Sequence, residues 1–216
     1  AYPGSPEIAR RMTRPDDRIQ LCELHEADAR TLDKRYALDS RIKVEKRDGY
    51  KAMAGVLPPK EKRGVVIVDP PFEHRDEMAH MAEAIKKSLP KWPTGTYIFW
   101  RSLKDMWASE RFDNGLAEWL FDEGFATPEN VLRADLWVRD LGEEGKLPGA
   151  GIVVVNPPHT LEADLLILLP WLSSLLRQGA GNGRPQIAAQ GRRDHHHHRL
   201  WPHDQPGDSE DRHRDR

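Results

Sequence analysis

Short runs rich in Val and Ile alternate along the chain with longer charged stretches whose apolar residues recur at helical spacing. That alternation is the signature of buried strands joined by helices, and it predicts an α/β sheet. The predicted strands are 19–24, 42–46, 65–69, 96–100, 132–138 and 151–156. The predicted helices are 6–13, 27–36, 49–56, 77–89 and 102–123, with Pro58-Pro59 and Pro93 marking breaks. A last apolar segment runs from Thr160 to Leu176 and is expected to be broken at Pro170.

Beyond Leu176 the character of the chain changes. Residues 177–216 are mostly Arg, Gln, Gly, His and Asp, too poor in apolar area to offset the entropy of ordering them. The expected organisation is therefore a core over 1–176 and a low-complexity, disordered tail over 177–216, resembling a product of frameshifted translation. The His195 to His198 tetrad in that tail reads as biased composition, so no metal site is expected. The opening AYPGSP is a Pro/Gly turn without an initiator Met, from which upstream sequence is expected.

Charge and cysteine content narrow the function classes. The 33 basic residues against 35 acidic ones give a net charge of -2, without the excess typical of proteins held to nucleic acid by phosphate contacts alone. Any basic docking surface must be local or missing. The single Cys22 has no disulfide or CxxC partner and fits a reducing cytoplasm. No apolar run reaches membrane-spanning length, so no membrane partner is expected.

The residues that carry chemistry stand at strand ends. Asp69-Pro70-Pro71-Phe72 directly follows Val65-Val66-Ile67-Val68, which puts a carboxylate where open α/β sheets bind ligands. The exocyclic amine of adenine is a poor nucleophile because its lone pair is delocalised into the ring. Asp69 and the Pro70 carbonyl can accept its two hydrogens and favour a pyramidal nitrogen, while the carboxylate is available for the proton. Phe72 offers a flat face for a base taken out of its stack. Upstream, Glu23 ends one predicted strand, where such folds bind ribose hydroxyls, and Asp48-Gly49 ends the next. A cofactor laid across adjacent strand tips requires that order. A second motif, Val153 to Pro158, repeats the design as Asn156-Pro157-Pro158-His159. Taken as catalytic it would suggest a protein-amide or amino methyltransferase, but it reads as a structural turn.

Taken together, these pieces resemble the RlmJ family of bacterial 23S ribosomal RNA adenine-N6 methyltransferases. The resemblance is spread over Tyr2 to Pro6, Glu23-Leu24-His25, Val44 to Gly49, Leu57-Pro58-Pro59, Arg63 to Phe72 and Thr94 to Tyr97. It continues through Gly151 to Pro158, Leu161-Glu162 and Leu169 to Leu172, and so covers about 1–176. It implies a Rossmann-like class I S-adenosylmethionine-dependent methyltransferase sheet of strand order 3-2-1-4-5-7-6. It also implies methyl transfer from S-adenosyl-L-methionine to one adenosine of 23S ribosomal RNA by a largely monomeric bacterial enzyme. Position by position, Ser5, Glu23, Asp48 and Gly49 match the family's cofactor-binding residues, and Asp69 its catalytic acceptor.

Two departures shape the expectation. Phe72 stands where the family usually has Tyr, keeping the stacking face without the hydroxyl. The family's first strand and its Asp-x-x-x-Gly-x-Gly-like loop have no counterpart here. A sheet lacking its first strand is therefore expected, with a gap between the strands ending at Glu23 and Asp69 and little activity from this chain alone. The alternatives are a non-catalytic nucleic-acid-binding or scaffold protein, or an amino methyltransferase acting on DNA or a protein amide.

Overall fold

The computed structural model describes residues 3–72, 74–139 and 146–178, together with the backbone of 185–189. The elements run α1 (Ser5–Met12), β1 (Ile19–Glu23), α2 (Glu26–Tyr36), β2 (Ile42–Lys46), α3 (Gly49–Val56), β3 (Val65–Val68) and α4 (Glu77–Ser88). They continue as β4 (Thr96–Ser102), α5 (Met106–Asp122), β5 (Val131–Trp137), β6 (Gly149–Val155), α6 (Leu161–Leu176) and β7 (Pro185–Ala189). All six predicted strands and the five predicted helices form within a few residues of their expected bounds.

The strands fall into two sheets. Parallel β1 and β2 pair only with each other, while the second sheet runs β3-β4-β6-β5-β7. Strands β3 and β4 are parallel, and β6 runs antiparallel to both β4 and β5. Among the described residues no strand lies between β1 and β3. Taking that empty place as strand 1, the order β2-β1-gap-β3-β4-β6-β5 is the one expected. The open edge has a visible consequence. Val65 and Ile67, apolar residues on β3, are 59% and 53% exposed.

Past Leu176 the expected boundary needs correction. Strand β7 pairs antiparallel with β5, Ala134 opposite Ile187, inside the stretch that composition assigned to the tail. Composition weighs side-chain burial, whereas a strand on a sheet edge is held by its backbone ladder. The remainder of the tail, His195 to His198 included, lies outside the described residues. Pro170 likewise does not break α6, which runs through it. Pro170 is on the exposed side of the helix, where water can satisfy the carbonyl it leaves unbonded.

The main core lies between the β3-β4-β6-β5 sheet and helices α4 and α5. Tyr97, Phe99, Val131, Val153 and Val155 from strands meet Met81, Ile85, Phe112, Leu116 and Leu120 from helices. Toward the carboxyl ends of β4 and β5 this core contains charge. Arg101 and Asp113 are fully buried and Asp135 nearly so. Arg101 contacts Asp135 and approaches Asp113 at 3.0 Å, while Arg133 reaches Asp113 at 3.2 Å and Asp135 at 2.7 Å. The Asp113 contacts are close charge contacts without aligned hydrogen bonds. Burial therefore outweighs the two guanidinium charges and pushes the Asp113 carboxyl up to about 6. Gly151 on β6 makes room for the cluster, since a Cβ there would lie 2.2 Å from Asp135 Oδ1.

Candidate active site

Strand β3 ends because Pro70 and Pro71 have no amide hydrogens to continue the ladder. Asp69 is left exposed just past the strand's carboxyl end. Its Oδ2 accepts a 2.5 Å hydrogen bond from the Ser5 hydroxyl. Ser5 is the first residue of α1, so the positive end of a helix dipole approaches the same carboxylate. Among the described residues, Oδ1 carries no hydrogen bond and is left for a ligand.

Phe72 adopts a left-handed backbone conformation at φ 54°, which a bulky L-residue adopts only when its surroundings impose it. Its ring lies 5.3 Å from that of Trp100 at an interplanar angle of 59°. Register explains the meeting. Val68 pairs with Phe99, so Trp100 stands beside the end of the strand from which Phe72 turns back. Sequence reading treated Trp100 only as the end of a strand. Its place one residue beyond that registered pair could be found only once the β3–β4 pairing was known.

Glu23 and Asp48 follow from the parallel pairing of β1 with β2, in which Glu23 opposes Lys46. Glu23 Oε1 accepts from the His25 amide at 2.8 Å, which fixes the side chain and leaves Oε2 available. Asp48 caps α3, accepting from the Tyr50 and Lys51 amides at 2.9 and 3.3 Å through Oδ1. Its Oδ2 lies 3.4 Å from the Lys51 ammonium. The carboxylate is thus partly committed to the helix. A Cβ at Gly49 would come no closer than 3.8 Å to Cys22, so no crowding within this chain demands glycine there.

The two groups of residues are tied across the gap. Ser5 belongs to the segment leading into β1 yet bonds Asp69 after β3. Tyr50, two residues past Asp48, donates to Glu77 Oε1 at 2.7 Å, and Glu77 opens the helix that follows the Asp69 motif. Burial, reinforced by the Glu77 carboxylate, holds the Tyr50 phenol well above its ordinary range, so it acts as a neutral donor. Asn156 lies at the other end of the sheet. It donates to the carbonyls of Pro93 and Gly95 at 2.7 and 2.8 Å and has a φ of 53°. Its side chain ties the start of β4 to the end of β6, the structural turn expected of it.

A concavity of about 780 Å³ lies away from Asp69, lined by Glu7, Arg10, Tyr36, Asp39 and Arg41 among others. Its carboxylates are already paired. Arg10 and Arg11 hold the Glu7 carboxyl down to about 2, and Arg41 does the same for Asp39. This cluster fastens α1 to α2 and β2 and so sets where Ser5 begins.

The model of the family described as "Ribosomal RNA large subunit methyltransferase D, RlmJ" matches residues 1–187. The chain belongs to this family. Its match reaches into β7, in agreement with the sheet extending past Leu176. Two relatives are both named Ribosomal RNA large subunit methyltransferase J. The one from Haemophilus influenzae is 34% identical over 84% of this chain and 62% of its own length. The one from Escherichia coli is 32% identical over 87% of this chain and 64% of its own length. The chain thus spans a little under two thirds of these relatives. A crystal structure of a Legionella pneumophila protein superposes with a TM-score of 0.78 at 29% identity, covering 88% of this chain and 67% of that one. The fold is the Rossmann-like α/β methyltransferase fold of the family.

Proposed function

We propose that this chain carries the acceptor side of an S-adenosyl-L-methionine-dependent methyltransferase that modifies the N6 amine of an adenosine in 23S ribosomal RNA. The observation that carries the reading is the free Asp69 Oδ1 at the end of β3, with Ser5 holding the other oxygen and Phe72 anchored on Trp100. Asp69 and the Pro70 carbonyl accept the two amine hydrogens, draw the nitrogen lone pair out of conjugation, and leave Asp69 to take the released proton. Phe72 supplies the face against which the extruded base rests.

The cofactor-binding set is Ser5, Glu23, Asp48, Gly49 and Asp69. The donor chemistry fits: Glu23 Oε2 suits a ribose hydroxyl, and Asp48, though engaged as a cap, has a second oxygen for a purine amino group. When bound, S-adenosyl-L-methionine supplies an electrophilic methyl group. Among the described residues no strand fills the place between β1 and β3, so these residues by themselves are proposed to bind cofactor weakly and to show little activity. A protein spanning the family's full length is expected to act as a monomer.

Titration calorimetry with S-adenosyl-L-methionine tests the cofactor statement, and micromolar binding by this chain would refute its weakness. Tritium transfer to naked 23S RNA, duplex DNA and protein, using a relative of full family length, tests the acceptor. Label in DNA or protein alone would replace the RNA reading, and RNA binding indifferent to cofactor would favour a scaffold. Asp69→Ala in that relative should lower transfer by roughly 10²- to 10⁴-fold, the scale of general-base loss.

A further inference from the structure

We propose that Trp107 is a stacking platform for an unpaired base of the RNA outside the target nucleotide, flanked by Lys104 and Arg111 as phosphate contacts. The inference rests on the RNA reading above and adds a second contact point to it. Strands β3 and β4 are parallel, so β4 ends on the same side of the sheet as Asp69, and the Phe72–Trp100 contact joins the two strand ends. Helix α5 begins four residues after β4 ends, and Trp107 lies in its first turn. The indole is 79% exposed, and among the described residues no ring stacks on it.

Neighbouring positions suit a nucleic acid. The buried face of α5 is Ser109, Phe112, Asp113, Leu116, Ala117 and Leu120, which turns Trp107 and Arg111 outward. Lys104 precedes the helix and is exposed. An open concavity of about 460 Å³ is lined by Trp107, Glu110, Arg111 and Asn114, an aromatic face beside a cation and an amide. Two acids lie nearby: Asp105 caps α5 through the Ala108 amide at 2.9 Å, and Glu110 lines the same concavity beside Arg111. A chain of net charge -2 needs a local basic-aromatic contact to hold a polyanion, and base stacking on an aromatic is tolerant of sequence.

The test uses this chain and a fluorescein-labelled RNA hairpin with an unpaired loop, alongside the same hairpin with an abasic loop. Trp107→Ala should weaken binding of the intact hairpin about tenfold, while Trp107→Phe stays within about threefold of the parent. The abasic hairpin should bind parent and Trp107→Ala alike. Lys104→Ala and Arg111→Ala should weaken both hairpins equally and flatten the salt dependence. Circular dichroism confirms folding, which an exposed site should leave unchanged. Unchanged affinity for Trp107→Ala, or an equal loss on the abasic hairpin, overturns the platform and leaves the RNA reading intact. Failure of the parent to bind either hairpin also overturns the platform, whereas the RNA reading stands or falls on transfer to 23S RNA by the relative of full family length.

Discussion

The Ser5 hydroxyl donates to Asp69 Oδ2 across 64 residues of sequence, joining the start of α1 to the end of β3. One carboxylate oxygen is thereby fixed and the other carries no hydrogen bond among the described residues, which is the arrangement the proposed amine-accepting role needs. Ser5→Ala should lower methyl transfer by a relative of full family length about tenfold, the worth of one hydrogen bond to a charged group. The effect belongs in kcat, with thermal stability unchanged. A loss confined to the KM for cofactor would assign Ser5 to cofactor binding alone.

The Phe72–Trp100 contact predicts a graded series. Phe72→Tyr should retain RNA methylation within about threefold, because ring area and face are unchanged. Phe72→Leu should lose about tenfold, since apolar bulk remains but the flat face does not. Trp100→Leu should behave like Phe72→Leu, because the indole is the ring against which Phe72 leans. Steady-state kinetics on 23S RNA distinguish these outcomes, and full activity in Trp100→Leu would show that Phe72 holds its position unaided.

Removing one member of the buried charge cluster leaves another uncompensated. Asp113→Ala should cost roughly 3–5 kcal/mol, because Arg101 stays buried with one carboxylate fewer. Urea denaturation followed by circular dichroism measures it. Gly151→Ala should also destabilise, as its methyl would meet Asp135 Oδ1 and the Arg101 guanidinium. Parent-like midpoints in both variants would show that the cluster relaxes freely.

Acid should loosen the seat of α1. Glu7 titrates at about 2 in the folded chain against an ordinary 4.5, and Asp39 at about 2 against 3.8. A lowered folded pKa gives stability that is present above the unfolded value and lost as pH falls toward the folded one. Melting temperature should therefore drop between about pH 4.5 and 2. Glu7→Gln should be less stable at pH 7 and lose less on acidification. An identical slope in parent and variant would remove Glu7 as the cause.

Much of the arrangement was legible in the chain itself. Strand Val65–Val68 is four consecutive β-branched residues, and its end is announced by two prolines, so the location of Asp69 followed from local chemistry. The parallel pairs β1–β2 and β3–β4 followed from alternation with helices, whereas the antiparallel β6 did not. Strand β7 was missed because Pro185–Ala189 is a short segment that opens on a proline inside a stretch dominated by Arg, Gly, Gln and His. Arg101 and Asp135 were missed because a charge at a strand position reads as a surface residue until its partner on another strand of the sheet is seen.

By itself the sequence determined most of the elements and placed Glu23, Asp48 and Asp69 near strand ends, because hydrophobic periodicity, proline and glycine act over a few residues. Tertiary structure alone decided that Ser5 holds Asp69, that Phe72 leans on Trp100, that Arg101 is sealed between Asp113 and Asp135, and that Trp107 stands in solvent. These depend on the register between β3 and β4 and on which face of α5 meets the sheet. Such pairings are fixed by the cooperative burial of the whole core, to which each residue contributes only a small share of the free energy.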